Sequence, residues 1–213
     1  MRAIVFVAVL GAGYVYFNGM PGSNNEGAFD ASGAPLVQVF TFSGCGEPCD
    51  TALSHLNKRD VDFDHHNVDP NNKETETYEL WSKYKTNVFP LIIAGNDKLT
   101  NSSNAGLAMI LGKNFDTQFL TSREKDYYSA HFYADGSPKI VMYGTDWCPS
   151  CAQLRKDFEA ENVEYVEINV EKPRLKKTLL QDLEIGGYPA TWVGYTRVNS
   201  TKASVIVDAL QNY

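Results

Sequence analysis

The chain has 213 residues, of which 43% are hydrophobic, and carries a formal net charge of −7. Its length allows one or two domains with real cores. The acidic balance and the lack of a basic stripe argue against a nucleic-acid partner and against a polybasic membrane surface. Four cysteines in so long a chain are too few for a small disulfide-stapled scaffold.

The N-terminus carries an uncharged apolar run. Arg2 precedes residues 3–17, and the run reaches the lower limit of a membrane span, roughly 17–25 residues, only when it is extended to Met20. Residues 1–20 are predicted to be an uncleaved signal anchor, with a cleaved signal peptide and a buried strand as alternatives. In the first two cases the body lies outside the cytoplasm, periplasmic or exported, and touches the membrane only through residues 3–20.

Residues 21–34 are rich in Gly, Ser and Asn and predict a flexible tether. The rest of the chain has two copies of one pattern. When Cys49 is aligned with Cys151 without gaps, apolar positions coincide over roughly twenty residues. Two related domains are therefore predicted, at 35–118 and 137–213, with a linker at 119–136. The coincident positions include Leu56 with Phe158, Val61 with Val163, Phe63 with Tyr165 and Val68 with Val170.

The second copy has the clearer pattern, in the order β-α-β-α-β-(β)-α. A strand–helix–strand unit with so short a connection implies a parallel pair and a right-handed crossover. The predicted elements are a buried strand at 140–144, a helix after Cys148, a strand at 163–170, a helix from Pro173 with Leu175, Leu179 and Leu183 on one face, a strand at 190–195 and a last helix capped by Ser200 or Thr201.

The motif Cys-Pro-Ser-Cys, residues 148–151, opens the first helix of this copy. Unpaired N–H groups at a helix start stabilise a thiolate at Cys148. Pro149 costs no hydrogen bond there, and Cys151, one turn on, can resolve a mixed disulfide. Two alternatives are weaker. Zinc needs four ligands and would require Cys45 and Cys49 of the other copy as well. A structural disulfide across so short a loop gives little stabilisation, because the restriction of the unfolded chain grows with loop length.

The order of a strand, Trp-Cys-Pro-Ser-Cys, a helix, a β-α unit and a Tyr-Pro before a strand, over 138–200, resembles the glutaredoxin branch of the thioredoxin superfamily. The resemblance implies an α/β fold with two glutaredoxin-like domains in tandem, each a mixed four-stranded sheet flanked by helices, behind an N-terminal hydrophobic segment. It also implies that Pro189 is cis, faces the cysteine pair and pairs with substrate, which Tyr188 touches. An ordinary strand-start proline is the alternative. Trp147 is expected to cover the disulfide, to bind substrate or simply to pack.

The first copy resembles the same fold but departs from it at the motif. Three residues separate Cys45 from Cys49, so that Cys49 takes the position of Cys151 and Cys45 that of Trp147. A second redox pair, a structural disulfide and a reduced pair without a role all remain open. Pro90 follows Phe89 as Pro189 follows Tyr188, and this favours a second substrate groove. The list of candidate groove residues is Trp147, Tyr188, Pro189, Phe89 and Pro90.

The sequence therefore predicts a thiol–disulfide oxidoreductase that exchanges electrons through a mixed disulfide on Cys148, with no bound metal or cofactor. Protein or low-molecular-weight disulfides are the expected partners. Glutathione is one candidate reductant. Glutaredoxins that use it have a Lys shortly before the first Cys and a Gly-Gly-x-Asp stretch at the start of the last helix. At the matching positions this chain has Thr145 and residues 196–200, which lack the Gly-Gly pair. Arg155 or Arg197 is the available substitute, and a thioredoxin-type reductase is at least as well favoured. The rival class is a non-catalytic thioredoxin-fold binding module with structural disulfides.

The histidines are weaker candidates. His65 and His66 are neighbours on a predicted strand, so they face opposite sides and do not suit one metal. His66 aligns with Ile168, which predicts a half-buried position. His55 and His131 are predicted to be surface or hydrogen-bonded structural residues.

Overall fold

A computed structural model describes residues 27–172 and 176–213 of the chain. The predicted anchor or signal peptide, most of the predicted tether, Pro173 and Leu175 lie outside the described residues. Within those ranges, none of the helices combines the length and the apolar character that a membrane span needs.

The first domain is built on one mixed sheet. Its strands are β1 (Val37–Thr41), β2 (Asp64–Asn67), β3 (Leu91–Ala94) and β4 (Asp97–Leu99). Its helices are α1 (Glu47–Asn57), α2 (Glu76–Ser82) and α3 (Asn104–Phe115). The strand order is β2-β1-β3-β4, with β1 parallel to β2 and antiparallel to β3. Helix α1 makes the crossover between the parallel pair.

Helix α4 (Ser122–Ser129) lies inside the interval predicted as a linker. It begins with a capping box, in which the Thr121 hydroxyl accepts from the Glu124 N–H and the Glu124 carboxylate accepts from the Thr121 N–H. Leu120 and Tyr128 are buried in the core of the second domain. The interval therefore covers one face of the second sheet.

The second domain repeats the strand order of the first. Its strands are β5 (Ile140–Gly144), β6 (Val166–Asn169), β7 (Ala190–Val193) and β8 (Thr196–Val198). Its helices are α5 (Pro149–Ala160), α6 (Lys176–Asp182) and α7 (Ala203–Gln211). The order is β6-β5-β7-β8, with β5 and β6 parallel. This confirms the predicted α/β class, with two thioredoxin-fold domains in tandem.

Two predicted boundaries of the second domain were wrong. The strand predicted at 163–170 is shorter, because the Val163 N–H donates to the Phe158 carbonyl at 2.8 Å and closes the end of α5. The cap predicted at Ser200 or Thr201 is Lys202 instead. The Ser200 hydroxyl accepts from the Lys202 N–H at 3.1 Å, one residue before the helix, so it is used in the preceding turn.

Helix α3 is buried on two sides, which explains its nearly continuous apolar sequence. Leu107 and Leu111 pack into the core of the first sheet, while Ala108 packs into the core of the second. A Cβ at Gly112 would lie 2.5 Å from the ring of Tyr195 on the second domain, so only glycine fits this contact. The two domains therefore share a packed interface along α3.

Candidate redox site

The topology brings each cysteine loop beside a proline loop. In the second domain, Tyr143 near the end of β5 is paired with Ala190 at the start of β7. The loop that leaves β5 carries Cys148, and Pro189 directly precedes β7. Both loops therefore emerge at the same end of the sheet, next to each other.

Cys148 is the N-cap of α5, and it is disulfide-bonded to Cys151 with a Cα–Cα distance of 5.2 Å. Its Sγ accepts a hydrogen bond from the Cys151 N–H at 3.1 Å. The first turn of α5 contains no acidic residue. The helix start thus offers an N–H donor and a positive dipole end to the sulfur of Cys148, and both favour a thiolate over a thiol.

Trp147 is the exposed residue of the motif, with 65% of its surface accessible, whereas Cys148 is 5% accessible. The Trp147 ring meets the Tyr188 ring edge-to-face at 6.2 Å. The Tyr188–Pro189 peptide bond is cis, as the resemblance implies. Three of the predicted groove residues are therefore brought together, and Trp147 presents an aromatic face to solvent beside the cysteine pair.

The ion pair between Arg155 and Glu167 lies close to the buried sulfur of Cys151. The Arg155 guanidinium donates to the Glu167 carboxylate at 2.6 and 2.9 Å and to the Thr145 carbonyl at 3.0 Å. A Cβ at Gly144 would lie 3.2 Å from Cys151 Sγ and 3.5 Å from Glu167 Oε1, so glycine permits this close approach. Because Arg155 is held by these partners, it is less suited to bind a substrate than the sequence suggests.

Asp146 lies two residues before Cys148. Its side chain is exposed, and its carboxylate accepts from the Asn169 amide at 2.9 Å.

The first domain pairs Cys45 with Cys49 in a disulfide, with a Cα–Cα distance of 5.7 Å. Cys45 lies before α1, whose N-cap is Gly46 with φ 60° and no side-chain cap bond. Glu47 and Asp50 lie in the first turn of the helix. Nearby carboxylates raise the pKa of a thiol, so this helix start favours ionised cysteine less than the start of α5 does.

The proline loop of the first domain is also present. The Phe89–Pro90 peptide bond is cis. The Phe89 ring lies 5.1 Å from that of Phe42, which is on the loop that leads to Cys45, and it stacks on Trp81 at 4.9 Å. Pro90 is buried and Phe89 is half-buried. Rings therefore fill much of the position at which a groove was predicted.

The glutaredoxin family model matches residues 140–198. A curated glutaredoxin of Pseudomonas aeruginosa is 32% identical over 62 residues, which are 29% of this chain and 74% of that protein. The chain belongs to the glutaredoxin family. A thiol–disulfide redox role follows at this coarse level.

Solved structures similar to this glutaredoxin family member include ERdj5 form II, at 10% identity over 84% of this chain and 27% of that chain, with a TM-score of 0.29. They also include the first two thioredoxin domains of Eps1p from Naumovozyma dairenensis (14% identity, 84% and 90% coverage, TM-score 0.25) and from Saccharomyces cerevisiae (12%, 84% and 91%, 0.25). The chain spans about a quarter of the ERdj5 chain.

The glutaredoxin match falls within the second domain, and so does a cavity of about 410 Å³ beside Pro189. Arg197 and Lys202 line it, and no carboxylate does among the described residues. The cavity therefore suits an anionic group. Sequence reasoning named Arg197 only as a substitute and missed Lys202, which lies two residues beyond the stretch 196–200 that was compared with the glutathione-binding pattern.

The histidines have structural surroundings in this glutaredoxin-family fold. His65 Nε2 lies 2.8 Å from the Thr41 hydroxyl, and His66 is half-buried and stacks on Phe40 at 4.8 Å, as its alignment predicts. His131 is buried and hydrogen-bonded at both ring nitrogens. Among the described residues, no group of three or more His, Cys, Asp or Glu side chains is arranged to hold a metal.

Proposed function

We propose that this protein is a thiol–disulfide oxidoreductase whose attacking group is Cys148. The observation that carries the proposal is the position of Cys148 as the N-cap of α5, with its sulfur on the Cys151 N–H. Free cysteine has a pKa of about 8.5, and helix starts and Cys-x-x-Cys motifs lower it by one or more units. Reduced Cys148 is therefore expected to be ionised to a large extent at neutral pH.

The proposed reaction has two exchanges. The Cys148 thiolate attacks one sulfur of a substrate disulfide, the substrate S–S bond breaks, and the first thiolate product leaves and takes up a proton. Cys151 then loses its proton and attacks Cys148 Sγ, which releases the second thiol and forms the Cys148–Cys151 disulfide. The substrate gains two electrons and two protons, which the dithiol supplies. An external thiol or a reductase must then restore the dithiol.

The groove for this reaction is proposed to be formed by Trp147, Tyr188 and Pro189. The aromatic contact between Trp147 and Tyr188 joins the two loops that would flank a bound substrate. An extended substrate chain could pair with the backbone before Pro189 as an added strand. Phe89 and Pro90 occupy the matching place in the first domain.

The first cysteine pair is proposed to be a stable disulfide rather than a second exchange centre. Glu47 and Asp50 disfavour a thiolate there. A dithiol whose reduced form is less stabilised holds its disulfide more firmly, which corresponds to a more negative reduction potential.

The partners and the location are part of the proposal. Protein or small disulfides would be the substrates, and glutathione or a thioredoxin-type reductase the electron donor. The Arg197 and Lys202 side chains beside Pro189 support an anionic thiol, such as glutathione, as the electron donor. An extracytoplasmic location, with residues 3–20 as membrane tether, agrees with a chain whose four cysteines are all disulfide-bonded.

The test uses the full chain and a small mixed disulfide of glutathione, with glutathione as reductant. We expect turnover in the parent protein, loss of turnover in Cys148→Ser, and retained turnover in Cys45→Ser. Cys151→Ser is expected to accumulate a mixed disulfide on Cys148, visible as an added mass on the intact protein. If the parent is inactive with glutathione, the same variants are measured with a thioredoxin-type reductase.

A parent that is inactive with both donors, and a Cys151→Ser variant that traps no substrate, would contradict the proposal. That result would favour the rival function, a binding module whose two disulfides only stabilise the loops.

A further inference from the structure

A second cavity, of about 170 Å³, lies at the interface between the two domains. Six of the eleven described residues that line it belong to the first domain, on β4, on α3 or between them. Helix α4 contributes Tyr128, and the second domain contributes residues that include Trp192. Arg197 is the residue that this cavity shares with the one beside Pro189. The second cavity therefore depends on the tandem arrangement and not only on the domain that matches the glutaredoxin model.

Tyr128 and Trp192 bring unpaired polar groups to this interdomain cavity. Tyr128 is 2% exposed and Trp192 is 1% exposed. Among the described residues, neither the Tyr128 hydroxyl nor the Trp192 indole N–H has a hydrogen-bond partner. Leaving a buried donor without a partner is costly, so two such groups beside one cavity call for an explanation.

The two polar groups are neighbours. Burial raises the pKa of the Tyr128 phenol, and the Trp192 N–H counters a part of that effect. They form no hydrogen bond with each other. An indole N–H can only donate, whereas a phenol can donate or accept. The pair therefore needs an acceptor, and one oxygen with two lone pairs can serve both donors.

Charged groups lie nearer to solvent, and they have partners already. The Glu184 carboxylate accepts from the Ser103 hydroxyl at 2.7 Å and from the Ala105 N–H at 3.4 Å. The Arg197 guanidinium donates to the Glu184 carbonyl at 3.0 Å and lies over the Trp192 ring, 5.1 Å from the centroid. Because one negative and one positive side chain line the cavity, a neutral ligand suits it better than an ion.

Much of the remaining lining is apolar and includes Leu99, Met109 and Leu183. An apolar cavity of about 150 Å³ accommodates benzene, so this one has room for one six-membered ring with a small substituent. A water molecule that accepted from Trp192 would bring two O–H donors of its own into these surroundings. A carbonyl oxygen brings acceptor capacity alone, which is what the two buried donors need.

We propose that this cavity binds a neutral, single-ring carbonyl compound, whose oxygen accepts from the Trp192 N–H and the Tyr128 hydroxyl. The ring packs among Leu99, Met109 and Leu183, and its contact with the Met109 sulfur is favourable. The site goes beyond the proposed function, because it uses neither cysteine pair and needs residues of both domains. A ligand bound there stabilises the tandem arrangement.

The test uses the full chain and acetophenone, a neutral ring with one carbonyl oxygen. The protein has three tryptophans, whose indole N–H groups give separate signals in a ¹H–¹⁵N correlation spectrum, and Trp192→Phe identifies the Trp192 signal. We expect acetophenone to move this signal downfield, as a new hydrogen bond does, with a dissociation constant of about 1 mM. The signals of Trp147, which is exposed, and of Trp81, which is buried in the first domain, should stay in place.

Tyr128→Phe tests the second donor. This variant keeps the ring in the core and removes the hydroxyl, so acetophenone is expected to bind about fivefold more weakly, the size of one neutral hydrogen bond. Toluene, which has no acceptor, should bind the parent and Tyr128→Phe equally in the same titration. Tyr127→Phe is the matched control, since it removes the neighbouring hydroxyl of α4, which does not line the cavity. Its affinity for acetophenone should equal that of the parent.

Three outcomes would overturn the proposal. If no indole signal moves up to the solubility limit of acetophenone, the cavity holds only water. A shift confined to Trp147 would place the compound beside the cysteine pair instead. Equal losses of affinity in Tyr128→Phe and Tyr127→Phe would show that the Tyr128 hydroxyl is not a donor to the ligand. The spectra do not depend on thiol exchange, so the proposed function stands or falls separately by its own assay.

Discussion

Arg59 and Glu124 form a bidentate ion pair, with both nitrogen–oxygen distances at 2.6 Å. The side chains are 2% and 3% accessible. Arg59 follows α1 in the first domain, and Glu124 belongs to α4, which covers the second sheet. The Asn104 side chain also contacts the pair, accepting from Arg59 at 2.9 Å. A buried charge pair is therefore part of what holds the two domains together.

Removing one partner of this pair is predicted to be strongly destabilising. Arg59→Met leaves the Glu124 carboxylate buried without its counter-ion, and such changes cost about 3–5 kcal/mol. The measurement is the free energy of unfolding from a urea titration at pH 7. Arg59→Met combined with Glu124→Leu is expected to recover much of the loss, since no unpaired charge then remains.

Arg123→Met is the matched control for that experiment. Arg123 pairs with Asp182 at 3.3 Å, but its side chain is 61% accessible, and exposed pairs contribute about 0–1 kcal/mol. Equal losses in Arg59→Met and Arg123→Met would show that burial of the first pair has no energetic consequence.

His131 is predicted to make stability depend on pH between about 6.5 and 4. Its Nδ1–H donates to the Gly194 carbonyl at 2.7 Å, so in the neutral ring Nε2 accepts from the Tyr143 hydroxyl at 2.8 Å. Burial lowers the pKa of His131 to about 4, against a smaller raising effect of the bond to Gly194. The unfolded chain binds the proton more readily, so stability is fully present above pH 6.5 and falls as the pH drops.

The expected loss at pH 4 is about 3 kcal/mol, from a pKa difference of two to three units. It is measured as the urea unfolding free energy at half-unit steps from pH 7.5 to 4. His131→Gln, which does not titrate, should flatten the slope in this window whatever its effect on absolute stability. An unchanged slope in that variant would assign the pH dependence to other groups.

Glu124 affects a lower pH range. Burial raises the pKa of its carboxyl. The hydrogen bonds and the charge of Arg59 lower it, as do the hydrogen bonds from Thr121, and these effects outweigh burial. The pKa therefore lies below its ordinary value. Its contribution to stability is present above the unfolded-state pKa of about 4.3 and is lost as the pH falls below that value. The slope due to His131 should therefore appear first during acidification.

In the fully reduced protein, Cys148 is predicted to react with iodoacetamide at pH 6 about tenfold faster than Cys45. The thiolate is the reacting species, and only the helix that begins at Cys148 has no carboxylate in its first turn. Labelling is followed peptide by peptide with mass spectrometry. Glu47→Gln combined with Asp50→Asn should raise the rate at Cys45 without changing that at Cys148. Equal rates at Cys45 and Cys148 in the parent would remove the electrostatic distinction between the pairs.

Trp147→Ala is predicted to weaken exchange with protein disulfides while leaving stability within about 0.5 kcal/mol, the range of ordinary surface changes. The ring is mostly exposed and contacts Tyr188, so its loss removes apolar area from the groove rather than from the core. The rate of reduction of a protein disulfide is compared with that of a small one. Val205→Ala, another exposed apolar residue, is the control. A loss of stability in Trp147→Ala well above the control would indicate that Trp147 mainly packs.

Local patterns made the fold predictable. The apolar alternation of the strands, the helix after Cys148 and the order of elements follow from short-range physics, and the family resemblance supplied the cis bond at Pro189. The capping box of α4 was also readable, since Thr121 and Glu124 have the spacing Thr-x-x-Glu that marks a helix start. The interval 119–136 was nevertheless predicted to be a linker.

Contacts between distant residues could not be predicted from the sequence. Arg59 and Glu124 are 65 positions apart, and Ser103 and Glu184 are 81 apart. In the sequence each is one charged or polar residue among many, and only packing of the two domains brings the partners together. The two faces of α3 gave a hint, because a helix that is apolar nearly all round must be covered on more than one side.

The burial of α3 on both sides decides how the molecule can be divided. A fragment that begins at residue 137 would keep every residue of the exchange motif, yet it would expose the Trp192 and Tyr195 surfaces that Ala108, Leu120 and Tyr128 now cover. Such a fragment would be prone to aggregate, although it contains the whole region that matches the family. An expressible unit of this protein is therefore expected to be larger than the domain that carries Cys148 and Cys151.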